Sequence, residues 1–185
     1  MNQSSYTSTS AAPRAIGEVT IRPTRPDDKE RLVRAFRGLD PRSVYLRFFS
    51  HRKEPSEEEL RRLTECDGAG EVVLVATVGS GDQESIAGLG HYVSTGTAAD
   101  IAFVVEEDFR CLGIASRLLQ QLARVAIVNG ITQFEADVLP ENIPMLRVLS
   151  RSRLRMRESR REGVVHATLF LTHPPSSPIP ARSAG

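Results

Sequence analysis

Along this chain the apolar positions change period repeatedly, from two to about 3.6 and back, and the changes outline the secondary structure. Glu18–Arg22 alternates apolar and polar, as a strand with one buried face does. Pro26, followed by Asp27 and Asp28, predicts a helix start, with Leu32, Val33 and Phe36 on one face. Ser56 ahead of Glu57, Glu58 and Glu59 has capping-box form and predicts a second helix through Leu60 and Leu63. Residues 72–78 are mostly β-branched. The turn Gly79-Ser80-Gly81-Asp82 then leads into an apolar run over 86–93, so these two strands form a hairpin. Thr97–Val105 reads as a third strand. The strongest helical pattern is 113–129, with Ala115, Leu118, Leu119, Leu122 and Ala126 on one face and Arg117, Gln120, Gln121 and Arg124 on the other. Gly130 supplies the left-handed residue that stops it. A strand at Phe134–Leu139, a short helix at 142–150 and two strands, Leu154–Ser159 and Val164–Leu171, complete the series. The order β α α β β β α β α β β predicts an α/β domain on a central, mainly antiparallel sheet.

Residues 1–17 lack this periodicity, and residues 173–185 hold four prolines. Both are expected to be loose tails, leaving 18–172 as one folded domain. A formal net charge of +1 argues against a strongly basic nucleic-acid module and against an acidic disordered chain. Cys66 and Cys111 form no CxxC pair, and histidines 51, 91, 166 and 173 are scattered, so neither a disulfide framework nor a metal site is expected. No apolar run approaches the ~20 residues of a membrane span, and the N-terminus lacks secretory-signal form. A cytoplasmic protein is the expectation.

The segment that carries chemistry is 99–123. A buried strand ends at Val105, an acidic loop follows, and Arg110-Cys111-Leu112-Gly113-Ile114-Ala115 opens the long helix. Gly113 lets backbone come close to a ligand. The first helical turn has free N–H groups and the positive end of the dipole, which suits a diphosphate. A plain strand-to-helix connection has the same spacing, so spacing leaves both open.

Arg110-x-x-Gly113-x-Ala115 resembles the Q/R-x-x-G-x-G/A loop of the GNAT superfamily of acyl-CoA-dependent N-acyltransferases. The strand before it, the helix, Gly130, the strand Phe134–Leu139 and Glu141-Asn142 follow in the family's order, so the resemblance covers about 18–171. It implies acetyl-CoA as cosubstrate. It also implies pantetheine pairing with the backbone of Phe103, Val104 and Val105 on a strand that splays from its neighbour. Pyrophosphate would be held by the loop Arg110, Cys111, Leu112, Gly113, Ile114, Ala115 and Ser116, and the pantetheine arm oriented by Asn142. Asn142 alone reads as a helix N-cap, a role compatible with the other.

Upstream, Leu39-Asp40-Pro41-Arg42-Ser43-Val44-Tyr45-Leu46-Arg47-Phe48-Phe49 is similar to the entry-helix region of Pat-type protein lysine acetyltransferases. Leu63-Thr64-x-x-Asp67 and Val138-Leu139-x-Glu141-Asn142-x-x-Met145 fit the same subgroup. By helical spacing alone, Tyr45, Phe48 and Phe49 are core aromatics.

Acyl transfer needs a neutral amine. A lysine ε-amine, with a pKa of about 10.4, is neutral in roughly one molecule per thousand at pH 7. A carboxylate or water chain at the thioester can take the proton. The Pat-like pattern puts an acidic residue at the start of the strand before the loop, which is Asp100 here. Asp replaces the usual Glu and is shorter by about 1.5 Å, a gap one water can bridge. A strand-end aspartate is the plainer alternative. Glu106, Glu107 and Asp108 read as a solvated acidic turn. No tyrosine falls in 142–155, where many GNAT enzymes keep an acid for the leaving thiolate; Ser150 or Ser152 could approach the sulfur instead, and plain helix-end serines are the simpler alternative. The Gly-Phe with which the family often ends this helix is Arg153-Leu154 here.

Residues 147–161 hold seven arginines, but Arg153, Arg155 and Arg157 alternate with Leu154 and Met156, the pattern of a strand with one charged face. No aromatics interleave for base stacking. The expected function is transfer of an acetyl group from acetyl-CoA to a primary amine, with protein lysine the acceptor that the subgroup resemblance implies. A small-molecule amine acetyltransferase and a catalytically weak acyl-CoA-binding regulatory module are the alternatives.

Overall fold

A computed structural model describes residues 18–42, 54–68 and 70–171. The tails expected at 1–17 and 173–185 lie outside these residues, as does Ser43–Phe49 of the entry-helix motif. Seven strands form one sheet: β1 Thr20–Pro23, β2 Glu71–Val78, β3 Ser85–Ser94, β4 Ala98–Val105, β5 Gln133–Val138, β6 Arg155–Arg161 and β7 Val164–Phe170. Among the described residues four α-helices accompany them: α1 Lys29–Arg37, α2 Glu57–Thr64, α3 Ile114–Val128 and α4 Ile143–Ser150. The sheet order is β1-β2-β3-β4-β5-β7-β6, and every pairing is antiparallel except β4 with β5. The predicted α/β class and element order are both present.

The alternation of each strand divides the core into two layers. Ile101 and Phe103 of β4 and Phe134, Ala136 and Val138 of β5 pack with Leu118, Leu122 and Ala126 of α3 on one face. Val73, Val75, Ile86 and Leu89 pack with Leu32 of α1 and Leu60 of α2 on the other. Gly90 lets α3 sit close: a Cβ there would stand 2.8 Å from the Phe103 ring and 3.2 Å from Leu122. The long helix ends in a Schellman motif, in which Ile131 N–H reaches the Ala126 carbonyl and Gly130, at φ 78°, donates to Ile127. Tyr92 is wholly buried near that end. Its hydroxyl accepts from Asn129 Nδ2 at 2.7 Å, and burial raises its pKa.

Two sequence expectations change. Asp27 and Asp28 lie in a 3₁₀ turn, Pro26–Asp28, and α1 begins one residue later. Asp28 is also fully buried and accepts Arg22 Nη1 at 2.7 Å and Nη2 at 2.8 Å, while Glu84 takes Nη2 at 2.9 Å. Burial pushes the Asp28 carboxyl up, but the Arg22 fork, the Arg25 backbone N–H and the Arg31 charge together more than offset it and hold the pKa below the usual range. This buried pair ties β1 to the start of α1 and the entry to β3. The second change is at Arg153, which adopts φ 65°, so the strand starts at Arg155. Arg155 and Arg157 then lie over the Phe170 ring, at 5.5 and 5.8 Å from its centroid.

Candidate active site

The geometry that makes a site is the parting of β4 from β5. Among the described residues their parallel pairing is confined to Ala98–Asp100 against Gln133–Glu135. Beyond Asp100, β4 continues to Val105 paired only with β3, and β5 continues to Val138 paired only with β7. The strands separate into a V with its apex at Asp100 and Glu135. Facing backbone groups inside the V lack ladder partners and need others. Phe103, Val104 and Val105, expected to pair with pantetheine, lie on the free stretch of β4. Phe103 is buried toward α3, and Val104 packs on the α1–α2 side.

At the mouth of the V, a 3₁₀ turn over Glu107–Phe109 feeds the loop before α3. Arg110 pairs with Glu107 at 2.6 Å. Cys111 is exposed and left-handed at φ 62°, and Leu112 is exposed. Gly113 is the N-cap, left-handed at φ 76°, and has no side chain to cap the helix. Arg117 makes the first helical bond, to the Gly113 carbonyl at 3.0 Å, so the N–H groups of Ile114, Ala115 and Ser116 precede the ladder. Apart from its chain neighbours, nothing lies within 4 Å of the position a Gly113 Cβ would take. The result is an open patch of backbone donors at a helix N-terminus, the form of an anion cradle. Ile114 itself is buried, so its amide contributes while its side chain anchors the helix. Asn142 caps α4: its Oδ1 accepts from Met145 N–H at 3.2 Å.

Asp100 stands at the apex on the face away from α3, largely exposed but with neighbouring strands taking part of its water. Its pKa is raised, chiefly by that partial desolvation and then by the charges of Glu135 and Asp137. On that same face Asp137 and His166 are register partners on β5 and β7, with Asp137 Oδ1 2.6 Å from His166 Nδ1. Nothing in their spacing of 29 residues signals this contact, which exists only because β7 pairs with β5 in this register. Tyr92, the one tyrosine among the described residues, is buried in the core on the α3 face, with its ring 5.9 Å from that of Phe134. Ser150 bonds back to the Arg147 carbonyl, and Ser152 accepts from Leu154 N–H, as helix-end serines do.

The acidic turn is less uniform than its sequence suggests. Glu107 is engaged by Arg110, but Glu106 is half-buried and lines an apolar cavity of about 60 Å³ with Leu32, Phe36, Leu63, Leu89 and Val104. Burial first, then Glu107 and Asp108, raise its pKa to about 7. A carboxyl raised in the folded state binds more protons there than when unfolded, so its contribution to stability falls as pH rises from 4.5 through 7. Glu106→Gln is expected to match wild type below pH 4 and to melt higher than wild type above pH 7, checked by thermal melts across that range.

A fold with a splayed β4/β5 pair and a glycine-capped anion cradle matches the model of the Acetyltransferase (GNAT) family over residues 31–152. The chain belongs to that family. Among curated proteins it is 33% identical over 132 residues to Acetyltransferase Pat of Mycolicibacterium smegmatis, covering 71% of this chain and 39% of that protein. The chain thus spans about two-fifths of that relative's length. Among solved structures, the GNAT domain of S. lividans PAT superposes with TM-score 0.75 at 31% identity, covering 82% of this chain and 90% of that one. The Salmonella typhimurium protein yncA, solved with its cofactor acetyl-CoA, has TM-score 0.67 at 14% identity over 85% of this chain and 96% of that one, a likeness of fold alone.

Proposed function

We propose that this chain transfers the acetyl group of acetyl-CoA to a primary amine, with the ε-amine of a protein lysine as acceptor. The observation that carries the transfer is the continuous path from apex to cradle. A free strand edge at Phe103–Val105 leads to the unpaired amides of Ile114–Ser116, which matches an amide-bearing arm ending in a diphosphate. The Cβ-free space at Gly113 leaves room for the phosphates, and Arg110 adds a positive charge beside them. Asn142, at the other wall of the V, bounds the arm. Bound acetyl-CoA supplies the activated acyl carbon; the chain's residues hold it and handle protons. Asp100 is placed to take a proton from the attacking nitrogen, directly or through one water.

A macromolecular acceptor is supported by the face on which Asp100 opens. Helices α1 and α2 cover β2, β3 and part of β4 there, whereas Glu135, Asp137, Arg155 and Arg157 are exposed. The central carboxylates favour an approaching ammonium, and among the described residues nothing encloses that platform as a small-molecule pocket would. The similarity to Pat agrees with this choice. Calorimetry with acetyl-CoA, followed by mass spectrometry of lysine peptides and a panel of small amines, tests it. Binding and faster acetylation of lysine peptides are expected. Preference for small amines would reverse the acceptor class. Binding without transfer to any amine would leave a regulatory acyl-CoA module.

A further inference from the structure

The acceptor ammonium carries three protons on nitrogen and the amide product carries one, so two must leave. One ends on the CoA sulfur when the C–S bond breaks as the C–N bond forms; the other must reach solvent. A single carboxylate at the apex serves one of these transfers at a time. The face around it holds a second proton-handling group that the sequence does not advertise.

Glu135 and Asp137 of β5 and His166 and Thr168 of β7 point away from α3, because their neighbours Phe134, Ala136, Val138, Ala167 and Leu169 fill the α3 layer. Asp137 lies just past the last β4–β5 pair, Asp100 with Glu135, and so beside the apex of the V. Its charge reaches Asp100 and contributes to the raised pKa there. Asp137 Oδ1 lies 2.6 Å from His166 Nδ1. An ionised carboxylate only accepts, so Nδ1 carries the hydrogen, and the lone pair of the neutral ring is on Nε2. Nε2 has no partner among the described residues, and the side chain is 41% exposed. Among the described residues, the remaining charged groups on the face of His166 are Glu135 on β5, Asp100 on β4, and Arg157 and Arg161 on β6, whose strand pairs Ser159 with His166. The carboxylates lie on the apex side and the arginines on the far side.

We propose that His166, held by Asp137, takes the first proton from the acceptor ammonium and releases it to water, while Asp100 handles the second and passes it to the departing sulfur. In the first step an N–H bond of the ammonium breaks and an Nε2–H bond forms. The imidazolium is stabilised by Asp137 until it loses the proton to solvent. Asp137 is a positioning residue: it fixes the tautomer and does not touch the amine. The inference rests on the acetyl-transfer function proposed above.

Two measurements test it. Ring ¹⁵N NMR of the free protein is expected to show neutral His166 protonated at Nδ1, with Asp137→Asn shifting protonation toward Nε2; protonation at Nε2 in the wild type overturns the proposal. In assays with a lysine peptide, His166→Gln is expected to lower kcat about 10-fold to 100-fold at pH 7, the low end for acid–base groups because solvent competes. Acetyl-CoA affinity should be unchanged. The deficit should shrink as pH nears the acceptor's pKa of about 10.4, where the amine is neutral unaided, and added imidazole should restore part of the rate. A deficit independent of pH and imidazole, or none, overturns the assignment while wild-type turnover keeps the acetyl-transfer function standing. Absence of turnover in the wild type removes both together.

Discussion

Asp100→Asn is expected to lower kcat about 10²–10⁴-fold at pH 7, the usual worth of a positioned proton-transfer group. The substitution keeps size and hydrogen bonding and removes the basic oxygen. Asp100 stands at the last paired position before β4 leaves β5, so backbone bonds on both sides hold it at the apex. Burial and the charges of Glu135 and Asp137 make its carboxyl a stronger base than an isolated aspartate. The loss should fall on kcat and not on acetyl-CoA affinity, because the cradle amides lie at the other end of the V. Neutralising one of three neighbouring carboxylates should also leave the melting temperature equal or higher. Wild-type kcat at pH 7 in the Asn variant would remove Asp100 from proton transfer and leave the task to water and backbone.

Gly113→Val is expected to weaken acetyl-CoA binding at least about 100-fold by calorimetry, with the fold retained. Two effects act at this position. A φ of 76° costs a non-glycine residue about 1–2 kcal/mol, and a β-branched side chain pays toward the upper end. The side chain would also occupy the space directly before the unpaired amides of Ile114–Ser116. Apart from its own chain neighbours the new Cβ meets no protein atom within 4 Å, so the variant should melt only a few degrees lower. Gly113→Ala should show a similar fall in melting temperature with a smaller loss of affinity, which separates strain from obstruction. Equal affinity in the Val variant would move the diphosphate away from this helix start.

The elements were readable because local chemistry determines them. Alternation gives the strands, Ser56 and Glu59 close a real capping box, and Gly130 adopts the left-handed stop. The glycine-led helix start was readable for the same reason: Arg110, Gly113 and the first helical turn are neighbours in sequence. What depends on pairing between distant segments was not. Periodicity shows that β4 and β5 are strands but not that their ladder stops at Asp100. The Asp137–His166 contact joins residues with no motif between them. Asp28 looks like a helix-start acid, and its burial follows from Arg22 crossing beneath it. Glu106 looks like its acidic neighbours, yet the sheet turns it toward α1 while Glu107 turns toward Arg110. In each case register or the packing of a whole layer decides the environment, and neither leaves a local mark.

The V between β4 and β5 also determines what kind of force holds the two halves of the molecule together. Within each half, strands are joined by ladders of directional bonds that tolerate little change in spacing. Across the seam, cohesion comes mainly from one greasy layer, in which Ile101 and Phe103 on one side and Phe134, Ala136 and Val138 on the other share Leu118 and Leu122 of α3. Such contact is non-directional and has no preferred register. The two half-sheets are therefore hinged at the short pairing of Ala98–Asp100 with Gln133–Glu135 and, beyond it, coupled as plates on a common bearing, free to adjust their spacing toward the mouth by fractions of an ångström without breaking a ladder bond, and the long helix that spans them is the bearing.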